Sequence, residues 1–315
     1  MKGVGFLGDF RFLLVNFGFL SALSIRLLPV IKSFLYRNNY YYFYNKALLR
    51  YLKNDLKEVI SKYKSQEMDY MQPRALNKND IIWVCWWQGE ENMPEIIQRC
   101  YQILQTNANG HPLVLISKNN YSNYIDLPKY ILDKVSKGYI TLTHFSDIIR
   151  VTLLAKYGGF WIDAAIWVTS PIEINGLQFF SLKQNGIDTG LVSKCRWIGG
   201  CMASGLGNIL YPFVRDSLFY YWKKKNALVN YFILDYLIDI AYSDFKVVKS
   251  LIDDLNPSCP NLHIMKQIMN DEYKKETMDC ILQENPFLSL SWKKKFYKKT
   301  ETGNPTYYAF FMDKF

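Results

Sequence analysis

The sequence predicts an α/β fold built on a mostly parallel sheet, and three observations carry that prediction. Compact runs rich in β-branched and aromatic residues, "IIWVCWW" (81–87) and "HPLVLIS" (111–117), read as buried strands. They alternate with segments of helical spacing, "MPEIIQRCYQILQT" (93–106) and "YIDLPKYILDKVSKG" (124–138), the second closing on Gly138. Strand, helix, strand, helix in that order demands crossover connections, which set neighbouring strands parallel and cover the sheet with helices in a doubly wound arrangement. Half of the 315 residues are hydrophobic and 21% are charged, so the chain can bury a large core.

Residues 1–65 read as a helical N-terminal extension. Their apolar stretch is broken by Arg11, Arg26, Pro29 and Lys32, and the uncharged run from Phe12 to Ile25 is shorter than the ~20 residues a spanning helix needs. Two readings stay open: a segment lying in a membrane interface with its basic side chains at the headgroups, or a helix pair packed on the main domain. No small-residue cleavage site follows, so no secretory signal is expected. Residues 66–80, polar and carrying Pro73, read as a linker, and 81–315 as the main domain.

The next helix expected is "FSDIIRVTLLAKYGG" (145–159), with Ser146 as N-cap, Asp147 at the positive end and Gly158–Gly159 as the stop. Asp147 and Arg150, three apart, share one side of that helix; taken alone, a cap and a local ion pair account for them. The strand "FWID" then brings Asp163 to a carboxyl end, where open parallel sheets gather ligands. Asp163 stands in the otherwise apolar run "KYGGFWIDAAIWVTSP" (156–171), and a carboxylate there is costly unless something pairs with it. "NYFILDY" (230–236) sets Asp235 in an aromatic helix, and Trp197 stands in a glycine-bearing stretch as a candidate for core packing or for an acceptor cleft.

Net charge is +10 with a pI near 9.1, which fits an anionic membrane surface or phosphorylated substrates. Nucleic acid ranks last, because no recognition motif accompanies the charge. Aromatic residues make up 17% of the chain, which suits stacking on flat or sugar-like rings. The six cysteines form no CxxC pair, which favours a reducing compartment, and His111, His144 and His263 show no metal-like spacing. No P-loop, nucleophile-elbow or HExxH motif occurs.

The string "SDIIRVTLLAKYGGFWIDAAIW" resembles the core motif of GT-A glycosyltransferases of the capsular polysaccharide synthesis family, relatives of the yeast-type initiating mannosyltransferases and the glucosylating toxins. "WWQG" (86–89), "NYSNYIDLP" (120–128), "YFILDY" (231–236) and "SWK" (291–293) are similar to further parts of that family, so the resemblance runs from about Ile81 to the C-terminus. It implies a GT-A-like, Rossmann-type central sheet flanked by helices. It also implies that Asp147 and Arg150 grip the donor sugar, that Asp163 holds the ribose or a metal, and that Trp86 or Trp87 lies against the base. Ser291, Trp292 and Lys293 would close over the diphosphate, and Asp235 would contact sugar or acceptor or serve as a reserve base. A D-x-D turn has a second acid where this chain reads Asp163-Ala164-Ala165, so Mn2+ or Mg2+ would be held by Asp163, diphosphate oxygens and water, or the basic C-terminal segment would replace the ion.

The implied activity is transfer of a hexose from a nucleotide-sugar, a UDP-sugar by expectation, to a lipid-linked oligosaccharide in bacterial capsular or other cell-surface polysaccharide synthesis, with retention of configuration. A cytoplasmic enzyme resting on the inner face of the cell membrane would meet that acceptor. The absent second acid motivates an alternative, a catalytically inactive carbohydrate-binding or scaffold protein of the assembly machinery.

Overall fold

Where Asp163 ends up is decided by how the strands alternate their side chains. The computed structural model describes residues 37–70 and 72–313. In chain order its longer elements are α1 (Arg37–Asp55), α2 (Lys57–Ser65), β1 (Ile82–Cys85), α3 (Glu95–Asn107), β2 (Leu113–Ile116), α4 (Lys129–Ser136), α5 (Leu142–Tyr157), β3 (Gly159–Ile162) and β4 (Ile166–Val168). They continue with β5 (Phe179–Ser181), β6 (Cys201–Ser204), α6 (Leu210–Lys224), α7 (Ile233–Asp244), α8 (Lys246–Asp253), α9 (Met265–Ile268), α10 (Lys275–Glu284), β7 (Phe287–Ser289) and α11 (Tyr307–Asp313).

The main sheet has the order β2-β1-β3-β6-β5. β1 runs parallel to both β2 and β3, and only β6 opposes its neighbours, so four of the five strands share one direction. β4 and β7 form a separate antiparallel pair. This is the mostly parallel α/β sheet that the alternating runs predict.

Side chains alternate across the sheet with a period of two, and the register aligns them row by row. Trp83, Trp161 and Met202 are register partners and join one core, together with α5, α6 and α7. Ile82, Phe160 and Ala203 form the adjacent row and join the opposite core, which α3 and the C-terminal elements cover. α1 and α2 add Leu48, Leu52, Leu56, Val59, Ile60 and Tyr63 to the first core, so this helix pair is packed on the body of the protein. Residues 1–36, on which the membrane-interface reading rests, lie outside the described residues. No helix among the described residues is long and apolar enough to cross a membrane. Past α2, a short 3-10 turn spans Glu67–Tyr70, and the N–H groups of Arg74 and Leu76 bond Leu206 O and Leu177 O, fastening this stretch to the β5–β6 side.

Two boundaries differ from expectation. α5 starts at Leu142, one turn early, because Thr141 is its N-cap and accepts a bond from the His144 N–H at 3.3 Å. Ser146 is therefore inside the helix, and Asp147 stands in its second turn, away from the positive end. α4 begins at Lys129 behind Pro128, and a 3-10 turn at Tyr121–Asn123 occupies the stretch before it.

The Gly158–Gly159 turn is required by space as well as by backbone angle. Gly158 (φ +68) ends α5, and a Cβ there would lie 2.7 Å from Ser204 O. Gly159 (φ +97) starts β3, and a Cβ there would lie 2.3 Å from Ile81 O. Any other residue pair would push β3 away from β1 and β6 and shift Asp163 with it.

Candidate functional site

Asp163 leaves the end of β3 and continues the pairing with β6 through an N–H bond to Gly200 O at 2.8 Å. Its carboxylate is about half exposed, and Oδ1 accepts two bonds of 2.7 Å, from Arg150 Nη2 and from Trp161 Nε1. Arg150 comes from the third turn of α5 and is 5% exposed. Its Nη1 donates to Gly199 O at 2.6 Å, its Nη2 also lies 3.4 Å from Asp147 Oδ1, and its guanidinium sits 4.9 Å from the Trp161 ring centroid. Burial works against its charge, yet Asp163, Asp147 and Asp235 more than offset this and raise its pKa. A buried guanidinium in this position holds the site's carboxylates in place.

Asp147 has a second support, from His144 three residues before it. Trp222 Nε1 donates to His144 Nε2 at 2.9 Å; an indole N–H can only donate, so that ring nitrogen is the acceptor. The His144 proton therefore sits on Nδ1, aimed at Asp147 Oδ2 at 3.3 Å. His144 is buried, and with Trp222 it fixes the orientation of Asp147 from below.

Asp235 stands in the first turn of α7, and its Oδ1 accepts from Trp197 Nε1 at 2.8 Å. Burial, reinforced by the nearby charge of Asp147, pushes its pKa up to about 6 against the pull of that hydrogen bond. A carboxyl poised near neutrality beside a cleft is a recurrent feature of acid–base sites.

These groups face one cleft of about 440 Å³ at the carboxyl ends of β1 and β3. Trp86, Trp87, Asp147, Arg150, Asp163, Asp235 and Trp292 all line it, so most of the sequence-predicted site residues come together here. Ser291 and Lys293 flank Trp292 but are not part of the lining; Lys293 Nζ lies 5.5 Å from the Trp292 ring centroid. The two adjacent tryptophans separate in role: Trp86 packs edge-on against Trp292 at 5.7 Å, whereas Trp87 packs against Phe145 at 5.0 Å. Cys85 also borders the cleft, but burial first and then the charge of Asp163 push its thiol up to about 12, so it offers no thiolate.

Lys266, on α9, is a further group that the motif reading did not find. Burial and the neighbouring Lys294 hold it below the usual lysine range, opposed by the attraction of Asp163, which places it within electrostatic reach of the site. No signal in the local sequence pointed to it.

Among the described residues, no group of three or more His, Cys, Asp and Glu side chains could hold a metal ion. Asp163 Oδ1 is taken by Arg150 and Trp161, and no hydrogen bond from a described residue reaches Oδ2. A Cβ on Gly200 would lie 2.5 Å from that oxygen, so glycine there keeps the approach to it open. The donor set fits a cation that brings most of its ligands with it, and does not fit a cage made by the protein.

A family model described as capsular polysaccharide synthesis protein matches residues 31–311. The chain belongs to that family. The chain is 31% identical over 110 residues to the O-glycosyltransferase braB of Annulohypoxylon truncatum, covering 32% of the chain and 26% of that protein. It is 29% identical over 113 residues to the O-glycosyltransferase PaGT of Phomopsis amygdali, covering 33% of the chain and 27% of that protein. The match thus spans about a quarter of the length of these curated relatives. No solved structure matches the family member described here.

Proposed function

We propose that the chain is a glycosyltransferase of GT-A type that moves a hexose from a nucleotide-sugar, a UDP-sugar by preference, to a hydroxyl of a lipid-linked saccharide in cell-surface polysaccharide synthesis. The observation that carries this reading is the arrangement of Asp147, Asp163 and Asp235 around the buried Arg150, in one cleft at the carboxyl ends of parallel strands. Family membership and the names of the two relatives support the same reaction class.

In this reading Arg150 turns its terminal nitrogens toward Gly199, Asp163 and Asp147. It holds Asp147 and Asp163, whose outward oxygens accept hydrogen bonds from hydroxyls of the donor. In the edge-on pair of Trp86 and Trp292, whose planes are 81° apart, one ring offers its face to the base. Lys266 and Lys293 give positive charge to the side where the diphosphate would depart. A divalent cation carried in by the diphosphate would be held by Asp163 Oδ2 and would supply further positive charge to the leaving group.

For transfer with retention, the acceptor oxygen bonds to the anomeric carbon on the face from which the diphosphate leaves. The bond between that carbon and the diphosphate oxygen breaks with its electron pair staying on the diphosphate, which takes up the acceptor proton. If transfer instead inverts configuration, Asp235 is the group poised to take that proton. Attachment to the inner face of a membrane would come from the N-terminal residues and the basic charge.

The test is a panel of nucleotide-sugars assayed by thermal shift and by release of nucleoside diphosphate, with and without Mn2+. One donor that raises the melting temperature and is turned over supports the transferase. A donor that binds but is never turned over favours the scaffold alternative suggested by Ala165, and stabilisation by no donor contradicts both.

A further inference from the structure

A second cavity, of about 650 Å³, lies behind the wall made by Gly199, Phe232 and Asp235, which it shares with the first cleft. Its lining includes Tyr44 and Asn45 of α1, Gln184, Ser193, Trp197 and Tyr236. No lysine or arginine is among the described residues of this lining, although the chain has 38. Of the basic residues beside it, Lys183 Nζ donates to Leu255 O at 2.7 Å, Arg196 pairs with Asp239, and Lys266 Nζ lies 3.2 Å from Nδ1 of the lining residue His263. Of the acids, Asp188 is turned back on the Gly190 N–H at 2.8 Å, and Asp235 faces the shared wall.

Neutral polar groups are set among the aromatic rings. Tyr236 OH donates to Asn45 Oδ1 at 2.5 Å, and Asn230 Nδ2 donates to Tyr44 OH at 3.2 Å, so both amides are held in fixed orientations. The side-chain amide of Gln184 makes no hydrogen bond to the described residues while lining the cavity half-buried. Aromatic faces cover the apolar side of a ring and oriented amides replace water on its hydroxyls. A phosphate or carboxylate here would meet no lysine or arginine of the lining, only His263, whose protonation burial and the neighbouring Lys266 oppose, and it would face Asp235, at a cost in desolvation and repulsion.

We propose that this second cavity binds an uncharged sugar ring of the acceptor, its reacting hydroxyl directed past Asp235 into the first cleft. The proposal rests on the transferase reading and deepens it. Only the terminal, neutral ring enters, and any charged carrier remains outside. α1 is then part of the binding site through Asn45 and Tyr44, so the N-terminal helix pair contributes to substrate recognition as well as to packing.

Saturation-transfer NMR on the full-length protein tests this with methyl hexopyranosides and their 6-phosphates as probes, with and without saturating UDP. The expected result is contact from at least one neutral glycoside that UDP does not displace, weaker contact from its phosphate, and about tenfold weaker binding in Gln184→Ala and Asn45→Ala, as loss of one hydrogen bond to a sugar implies. Displacement by UDP, tighter binding of the phosphate, wild-type affinity in both variants, or no contact from any neutral glycoside would each overturn it. Failure of UDP itself to bind counts against the transferase reading alone, because the glycoside measurement without UDP still reports on the second cavity.

Discussion

Arg150 and Asp163 form a 2.7 Å ion pair that ties the third turn of α5 to the end of β3. The same guanidinium reaches Asp147 and the Gly199 carbonyl, so one buried cation sets the positions of two carboxylates and the loop before β6. Replacing Arg150 with methionine leaves those acids facing each other without their counter-charge. The expected cost is ~3 kcal/mol, at the low end for a broken buried pair because Asp163 is about half exposed. Urea unfolding of Arg150→Met and Arg150→Lys measures it, with lysine recovering part of the loss, since it cannot reach three partners at once.

His144 acts on the site only through Asp147. His144→Phe removes the donor to Asp147 and strands the Trp222 indole N–H, which is expected to cost ~1–3 kcal/mol in stability and to lower turnover as well. A purely structural role would move stability alone. Combining His144→Phe with Asp147→Asn separates the two, because the losses in turnover are expected to be strongly non-additive if the histidine works through that carboxylate.

Asp235 gives a pH signature whose sign is fixed by its environment. Its folded pKa, raised to about 6 mainly by burial, exceeds the ordinary value of 3.8, so the folded state binds the proton more tightly than the unfolded one. Its stabilising contribution is complete below the unfolded value and is lost as pH rises through about 6. Asp235→Asn keeps an acceptor for Trp197 Nε1 without the charge. The variant is therefore expected to match the wild type in melting temperature at acid pH and to become the more stable of the two above about 6 while losing activity. A constant difference across the pH range contradicts this.

Trp292 is 46% exposed and packs edge-on against Trp86, so its removal is not expected to disturb the core. Stacking of one base on an aromatic ring is worth ~1–3 kcal/mol, so Trp292→Ala is expected to raise the donor KM about tenfold with little change in melting temperature. Trp87→Ala is expected to do the reverse, because its ring packs on Phe145 and Tyr121.

Much of the site was legible because its parts are close in sequence. A helix with Asp147 and Arg150, a double-glycine turn and a strand ending in Asp163 occupy one continuous stretch, and turn and strand geometry bring those three side chains together. Two further contacts could have been read from spacing alone. Trp161 and Asp163 are two apart on a strand and so share a face, and His144 and Asp147 are three apart on a helix. Ser146 reads as the cap because it precedes the acid, but Thr141 caps the helix about a turn earlier, and spacing alone does not distinguish the two. Trp222, Trp197 and Gly199 reach the site through packing of α6, α7 and the loop before β6, between segments far apart in the chain, which no local period records. Lys266 was hidden for the same reason, and the second cavity draws on α1, which the sequence assigned to an extension.

The central claim is that the Asp163 carboxylate, braced by Arg150, serves a nucleotide-sugar. Its most direct measurement is the rate of nucleoside diphosphate release from the stabilising donor by the wild type and by Asp163→Asn, with the melting temperature of each recorded alongside. A folded variant whose rate falls at least a hundredfold, ~2.7 kcal/mol or more of lost transition-state stabilisation, is the expected result. A folded variant that turns over the same donor at the wild-type rate would show that the carboxylate at the end of β3 takes no part in the reaction.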